Sequence, residues 1–299
     1  MDEHFQDVGR GITLCYDQFG DPADTSLLLV MGLGTQMIGW REDFCRDLAG
    51  EGFHVTRFDN RDIGRSTHVE DLAPPSRREL LSRRFGPDQY DLTDMAADAA
   101  GLLRELGLGP AHVVGVSMGG MIAQTLAARH PHSVRSLTSI MSTTGARWKG
   151  QPALGVYRYL LAPPAKDKAA ALVHATAVFE AVGTPDLRDP DAMRELVELS
   201  WDRDSSRAGV GRQLAAIITS GDRTEELRTI DTPSLVMHGT RDRLVNISGG
   251  RATAEAIPGA RLVEIDGMGH DLPRAHWPRI IGAIAEHARA ADGARAAIA

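Results

Sequence analysis

The chain has 299 residues, of which 42% are hydrophobic, and a formal net charge of −7 at pH 7. This length allows a large apolar core, and the dispersed negative charge argues against the basic surface that nucleic-acid binding requires. Two cysteines, Cys15 and Cys45, are too few for a disulfide framework and are typical of buried thiols. No group of residues has metal-ligand spacing, so we expect neither a metal nor an organic cofactor.

The N-terminus and the apolar runs indicate where the protein acts. Residues 1–7 are acidic and polar, unlike a secretory signal peptide, and no apolar run approaches membrane-spanning length. We therefore expect a cytoplasmic protein with no membrane span, whose partner is a small molecule and not a nucleic acid. The sequence specifies no oligomeric state.

Short apolar runs alternate with helical patterns along most of the chain, which predicts an α/β fold with a mostly parallel sheet and crossover helices. Residues 12–19 and 27–31 are predicted to form an early hairpin. Apolar residues at helical spacing predict a helix over 92–106. Further strands are predicted at 53–58, 111–114, 134–141, 230–239 and 260–265.

The pentapeptide Gly-Val-Ser-Met-Gly at residues 115–119 follows a predicted buried strand and precedes a predicted helix over 118–129. In that context G-x-S-x-G is typical of a nucleophile elbow, a sharp turn that exposes the serine Oγ. The glycines allow the helix and the strand to approach closely around a strained serine. Ser117 is therefore the predicted nucleophile, and the alternative is an ordinary glycine-rich turn.

The alternation of strands and helices stops over residues 145–228, where helical segments are separated by Pro and Gly. An insertion at this point would lie over the carboxyl ends of the strands as a helical cap. In the chain it precedes the strand predicted at 230–239, which leads to Asp242, the candidate acid described below. We therefore divide the chain into a first core part, 1–144, a cap, 145–228, and a second core part, 229–299. We expect the core to hold the reacting groups and the cap to set substrate choice.

Aromatic and aliphatic residues of the predicted cap are candidates for the lining of an apolar substrate cavity. The alternative is that they attach the cap to the core. A methionine outside the cap, Met268, is a further candidate because flexible methionines can shape an adaptable pocket. The candidates in the cap are Trp148, Tyr157, Tyr159, Leu160, Leu161, Phe179 and Trp201.

A serine nucleophile needs a base and an acid that orients the base. Asp242 and His270 each lie on a loop directly after a predicted strand, and glycine precedes His270. Because catalytic groups gather at the carboxyl ends of parallel strands, we expect Ser117, Asp242 and His270 to converge. Asp266 and Asp271 are rival acids, but they lie too close to His270 in sequence and are expected to be solvated turn residues.

The same chemistry needs two backbone N–H groups that stabilise an oxyanion. Met118 follows the serine and supplies one candidate donor. Leu33 lies between Gly32 and Gly34 directly after an early strand, and it is the second candidate. The alternative for residues 32–34 is a plain glycine turn.

Taken together, these motifs resemble the α/β-hydrolase superfamily. The resemblance rests on Met31-Gly32, residues 59–66, the elbow at 115–119, Asp242 and Gly269-His270. Many members carry His-Gly and Arg-Gly where this chain has Met31-Gly32 and Arg61-Asp62. Both departures, together with Gly-Asp-Pro-Ala at residues 20–23, are similar to the aclacinomycin methylesterase type.

The resemblance implies an α/β-hydrolase fold and hydrolysis of a small to medium apolar carboxylic ester through an acyl-serine, without a cofactor. Alternatives on the same three residues are a lactonase, a C–C bond hydrolase or a perhydrolase. A dehalogenase is disfavoured because the elbow carries Ser117 and not aspartate. A non-catalytic ligand-binding member of the fold is a further alternative.

Overall fold

The computed structural model describes residues 2–160, 162–163 and 165–296. Its centre is a sheet built from β1 (His4–Asp7), β2 (Thr13–Phe19), β3 (Thr25–Val30), β4 (Phe53–Phe58), β5 (Ala111–Val116), β6 (Val134–Ile140), β7 (Ser234–Gly239) and β8 (Arg261–Ile265). The strand order across the sheet is β1-β2-β4-β3-β5-β6-β7-β8. The strands from β4 to β8 along this order are parallel, whereas β1 and β2 are antiparallel at one edge.

The predicted hairpin of residues 12–19 with 27–31 is wrong. Strand β2 pairs with β1 and β4, and β3 lies between β4 and β5. The burial of each strand explains the difference. Residues 27–30 are buried on both faces, as in a central parallel strand, whereas β2 has exposed and half-buried positions that suit the sheet margin.

The described residues form helices on both faces of the sheet and further helices in the connections between strands. They are α1 (Glu42–Gly50), α2 (Arg77–Ser82), α3 (Leu92–Glu105), α4 (Met118–Arg129), α5 (Tyr157–Leu160), α6 (Lys168–Val182), α7 (Pro190–Arg203), α8 (Ala208–Ser220), α9 (Thr224–Leu227), α10 (Ser248–Ala256) and α11 (Trp277–Ala296). The predicted helices over 92–106 and 118–129 correspond to α3 and α4. No helix in the described part of the chain is long and apolar enough to cross a membrane.

The alternation of side chains along β3 divides the core between the two faces. Leu28 and Val30 pack with residues of α3 and α4 on one face. Leu27 and Leu29 pack with residues of α1 and α11 on the other. The central strand is therefore shielded from water on both sides, and its carboxyl end leads directly into the loop at residues 32–34.

Helices α5 to α9 lie in the segment between β6 and β7, as the predicted insertion requires. Buried ion pairs join this insertion to the core. The Asp62 carboxylate accepts hydrogen bonds from Arg212 Nε at 2.8 Å and Arg212 Nη2 at 2.5 Å. The Asp59 carboxylate accepts one from Arg203 Nη2 at 2.9 Å. The contacts that hold the insertion on the core are thus charged and directional.

Removal of the Arg212 guanidinium tests this docking. Burial acts to raise the pKa of Asp62, but hydrogen bonds from Arg212, the Val69 N–H and the Tyr90 hydroxyl outweigh it and hold that pKa below its usual range. Arg212→Met leaves the carboxylate buried without its cation, so we expect the free energy of unfolding near pH 7 to fall by about 3–5 kcal/mol. Urea unfolding measures the loss.

The pH dependence of that loss has a definite sign. A lowered folded-state pKa stabilises the protein above the unfolded pKa of about 3.9, and the stabilisation disappears as the pH falls through the folded value. The cost of Arg212→Met should therefore shrink below about pH 4. Arg228→Met, which breaks an exposed pair with Glu225, is the control and should cost no more than about 1 kcal/mol. Equal losses in both variants would contradict the interpretation.

Candidate active site

Ser117 lies at the turn between β5 and α4 and has left-handed backbone angles, φ 57° and ψ −120°. The flanking glycines are required by space. A Cβ atom at Gly115 would lie 2.1 Å from the Gly119 carbonyl oxygen, and one at Gly119 would lie 2.1 Å from the Val30 carbonyl oxygen. The backbone of Ser117 is held by a hydrogen bond from its N–H to Ile140 O at 2.8 Å. Helix and strands therefore meet around a serine in strained geometry.

The structure brings Ser117, His270 and Asp242 together from three separate loops. His270 Nε2 lies 3.0 Å from Ser117 Oγ, and His270 Nδ1 lies 2.7 Å from Asp242 Oδ2. The second carboxylate oxygen, Asp242 Oδ1, accepts the N–H groups of Leu244 at 2.9 Å and Val245 at 2.8 Å. These contacts complete a hydrogen-bonded path from the serine hydroxyl to a carboxylate that is anchored by backbone.

Asp242 is only 4% exposed, yet its environment favours the charged form. Burial acts to raise the pKa, but the charge and hydrogen bond of His270 and the hydrogen bond of His238 lower it to about 2. A carboxylate that stays ionised can hold the imidazole in the tautomer with a proton on Nδ1, which leaves Nε2 free to accept a proton.

His238 is a second histidine beside the acid. It is fully buried, its Nε2 lies 2.8 Å from Val245 O and 3.4 Å from Asp242 Oδ2, and Gly250 packs against its ring. From the sequence alone, His238 is predicted to be a packed or hydrogen-bonded structural residue, because a histidine inside an apolar strand has no signature of function. Its position four residues before Asp242 is the one available signal.

The loop that carries His270 is hydrogen-bonded to residues at and just after the end of α6. The His270 N–H donates to Val182 O at 2.8 Å, and the Gly269 N–H donates to Thr184 Oγ1 at 2.9 Å. Thr184 in turn donates its N–H and its hydroxyl to Asp271 Oδ1, at 2.9 and 2.6 Å. The expectation that Asp271 is a solvated turn residue is therefore wrong, since its carboxylate is bound by the insertion. Asp266 is exposed and accepts the Thr240 hydroxyl at 3.0 Å.

The predicted oxyanion donors lie on either side of the serine. A Cβ atom at Gly32 would lie 3.2 Å from Ser117 Cβ and 3.7 Å from Ser117 Oγ, so the loop at residues 32–34 passes directly over the nucleophile. Met118 begins α4. Within residues 2–160, 162–163 and 165–296, neither the Leu33 N–H nor the Met118 N–H has an acceptor. Their assignment as oxyanion donors stays a prediction.

Comparison with known proteins gives the family. Residues 25–273 match the alpha/beta hydrolase fold family. The chain belongs to this family. Rhodomycin D methylesterase DauP from Streptomyces sp. (strain C5) is 30% identical over 302 residues, which cover 94% of this chain and 96% of the relative. The fold and the resemblance to the methylesterase type, both predicted from the sequence, are confirmed.

Other proteins similar to this α/β hydrolase are named for different activities. The bifunctional esterase/perhydrolase DCH from Acinetobacter calcoaceticus is 26% identical over 234 residues, 75% of this chain and 77% of the relative. The crystal structure of the enol-lactonase from Burkholderia xenovorans has a TM-score of 0.75 at 24% identity and covers 95% of this chain and 99% of that one. The similarity to the enol-lactonase shows a shared fold and nothing more.

Two predicted pocket residues do not line a cavity in this α/β hydrolase. Trp148 is 78% exposed beneath the Arg147 guanidinium, and Met268 is 0% exposed within the apolar cluster that includes Ile265. Met268 is excluded from the lining of a substrate pocket because the turn after β8 directs its side chain into the core. Its carbonyl oxygen also accepts the Arg241 N–H.

The remaining pocket candidates are half-buried or lie at the surface. Tyr157 is 37% exposed and bonds Gln151 through its hydroxyl. Phe179 packs on Gly183 next to the His270 loop, and Trp201 lies under the Arg207 guanidinium. Leu161 lies outside the described residues.

A cavity of about 290 Å³ lies between the end of α6 and the Asp242 loop, and three arginines but no aromatic residue are among the residues that line it. Its lining is Ala181, Gly183, Pro185, Arg188, Thr240, Arg241, Asp242 and Arg243. The described residues contain no group of three or more histidine, cysteine or acidic side chains arranged to hold a metal ion.

Alanine substitutions at two helical glycines test the close packing around Ser117. Gly119→Ala must displace backbone of β3, so we expect the free energy of unfolding to fall by about 1–3 kcal/mol or more. Gly282→Ala in α11 meets no atom within 4 Å and should stabilise the helix by about 0.5–1 kcal/mol. Urea unfolding compares the two, and a neutral Gly119→Ala would show that the turn is looser than described.

Proposed function

We propose that this α/β hydrolase is a carboxylic-ester hydrolase that acts through an acyl-serine on Ser117. The observation that carries the proposal is the hydrogen-bonded path from Ser117 Oγ to His270 and on to Asp242, with separations of 3.0 and 2.7 Å. These distances are within the reach that proton transfer between a nucleophile and its base requires. The partly exposed serine and the Leu33 and Met118 N–H groups, which have no acceptor among the described residues, support the same proposal.

The chemistry follows from that arrangement. Ser117 Oγ forms a bond to the ester carbonyl carbon while its proton moves to His270 Nε2, and Asp242 stabilises the resulting imidazolium. The carbonyl electrons become an oxyanion, which the N–H groups of Leu33 and Met118 stabilise. The bond to the alcohol oxygen then breaks, and the alcohol leaves with the proton from Nε2.

The second half of the reaction regenerates the enzyme. Water gives a proton to His270 Nε2 and attacks the acyl-serine, and the same two donors hold the second oxyanion. Collapse of this intermediate releases the carboxylic acid and returns the proton to Ser117 Oγ. The cycle needs no group beyond those that the chain supplies.

The relatives support an ester as the substrate. DauP carries the name of a methylesterase and aligns with 94% of this chain, so methyl esters are the first substrates to assay. The esterase/perhydrolase and the enol-lactonase favour lactones and peracid formation as the second candidates. A panel of methyl esters, p-nitrophenyl esters and lactones, with and without hydrogen peroxide, separates these activities.

Substitution of the three residues tests the mechanism. Ser117→Ala and His270→Ala should each lower kcat by about 10⁴- to 10⁶-fold, because such residues act as a unit. Asp242→Asn should lower kcat by about 10⁴-fold, because it favours the wrong imidazole tautomer. Hydrolysis of p-nitrophenyl butyrate measures these losses, and circular dichroism confirms that each variant is folded.

Asp266→Asn is the matched control for the acid, since Asp266 is exposed and precedes His270 on the same loop. We expect its activity to stay near that of the wild type. A larger loss in Asp266→Asn than in Asp242→Asn would overturn the assignment of the acid. A fluorophosphonate should label the wild type at Ser117, and labelling without turnover of any ester would favour a binding protein over an enzyme.

We also propose that residues 145–228 act as a cap that sets substrate choice. One methylene in an apolar pocket changes specificity by about 1–3 kcal/mol, so Phe179→Ala or Trp201→Ala should shift the preference among acetate, butyrate and octanoate esters by about 10- to 200-fold. Trp148→Ala is the control, since this indole is largely in water. An equal shift in Trp148→Ala, or equal losses for every ester, would place the acyl pocket elsewhere.

A further inference from the structure

Gln213 of helix α8 joins the insertion to the loop that passes over the nucleophile. This side chain is 0% exposed. Its Oε1 accepts the Gly34 N–H at 2.9 Å, and its Nε2 donates to Arg61 O at 2.8 Å. One amide from the insertion thus ties together the loop after β3 and the loop after β4.

The helix that carries Gln213 is itself held rigidly against the core. Arg212 makes the buried two-point contact with Asp62, and a Cβ atom at Gly209 would lie 1.9 Å from Asp62 O. On the same turn of the helix, Val210 Cγ1 lies 3.1 Å from a Cβ built at Gly34. The loop at residues 32–34 therefore rests against a fixed surface, and its left-handed Gly34 fits under Val210.

The direction of the Gly34 hydrogen bond matters for its neighbour. The Gly34 N–H donates to Gln213, whereas the Leu33 N–H has no acceptor among the described residues. The adjacent Gly32 lies against Ser117, since a Cβ atom built there would be 3.2 Å from Ser117 Cβ. A shift of this loop would move the Leu33 donor away from a developing oxyanion.

We propose that Gln213 is a positioning residue that holds residues 32–34 so that the Leu33 N–H faces the oxyanion formed at Ser117. The inference rests on the proposed ester hydrolysis and assigns part of its machinery to the insertion. Preorganised donors act on the transition state more than on the bound substrate. Loss of Gln213 therefore lowers kcat and leaves KM nearly unchanged.

The test compares three variants of the full chain. Gln213→Met removes both hydrogen bonds at similar side-chain length, and Gln213→Glu keeps an acceptor for the Gly34 N–H. Gln89→Met is the matched control, because Gln89 Nε2 donates to Arg212 O at 3.1 Å and so bonds the same helix without contact to residues 32–34. Each variant is assayed for kcat and KM with p-nitrophenyl butyrate, and its melting temperature is measured.

A second readout isolates the oxyanion. A butyl trifluoromethyl ketone adds to Ser117 and carries an oxyanion, whereas the corresponding butyramide binds as an unreacted ligand. For Gln213→Met we expect a 10- to 100-fold lower kcat and an equal loss of affinity for the trifluoromethyl ketone, with butyramide affinity unchanged, as estimated from the roughly 10²- to 10³-fold effect of losing a whole oxyanion donor. Gln213→Glu should lie between Gln213→Met and the wild type, and Gln89→Met should match the wild type.

Several outcomes overturn the proposal. One is that Gln213→Met and Gln89→Met bind the trifluoromethyl ketone with the same affinity. Another is that Gln213→Met loses the same factor of affinity for the ketone and for the amide. If Gln213→Met does not fold, Gln213→Ala, which also removes both hydrogen bonds, decides, and wild-type ketone affinity in that variant rejects the role. Failure of the proposed function would look different, because the wild type itself would then hydrolyse no ester and Ser117→Ala would change nothing.

Discussion

At its three glycines, Gly115, Gly119 and Gly120, the turn around Ser117 packs too tightly to admit a side chain, and the rest of the site depends on this constraint. Cβ atoms at Gly115 and Gly119 would lie 2.1 Å from backbone carbonyl oxygens, and one at Gly120 would lie 2.7 Å from Ser142 Cβ. Strands β3, β5 and β6 and helix α4 are thereby brought into contact at one point. Because β3 ends there, the loop that follows it must pass over Ser117.

The insertion is docked on this core by buried polar contacts. Arg203 and Arg212 each pair with a buried aspartate, and Arg223 donates to Met121 O, Gln124 Oε1 and Thr143 O. Burial lowers the pKa of Arg223 to about 10. Desolvation offsets much of the attraction in such contacts, so their main effect here is directional. Apolar packing would permit sliding, whereas a guanidinium bonded at several points fixes one orientation of the helices.

This fixed orientation places the insertion against the site at two positions. The end of α6 binds the His270 loop through Val182 and Thr184, and α8 binds the loop after β3 through Gln213. The His270 loop and the loop after β3 are therefore supported by the same insertion. A division in which the core holds the chemistry and the cap only selects substrates does not describe these contacts.

Local sequence determined the parts of this protein that depend on neighbours in the chain. The glycine spacing around Ser117, the apolar run before it and the helix over 118–129 required no knowledge of the fold, because backbone sterics and strand burial act over a few residues. The positions of Asp242 and His270 after late strands were also predictable from the sequence, since parallel strands present their carboxyl ends at one edge of the sheet.

Tertiary structure alone decided what depends on partners distant in sequence. The pairing of β2 with β4, the hydrogen bonds of Thr184 to Asp271 and the contact of Gln213 with Gly34 join residues separated by tens to more than a hundred positions. Composition and periodicity assign a residue to a face of its own helix or strand. They do not specify which donor meets which acceptor across the fold, because that depends on how the whole chain packs.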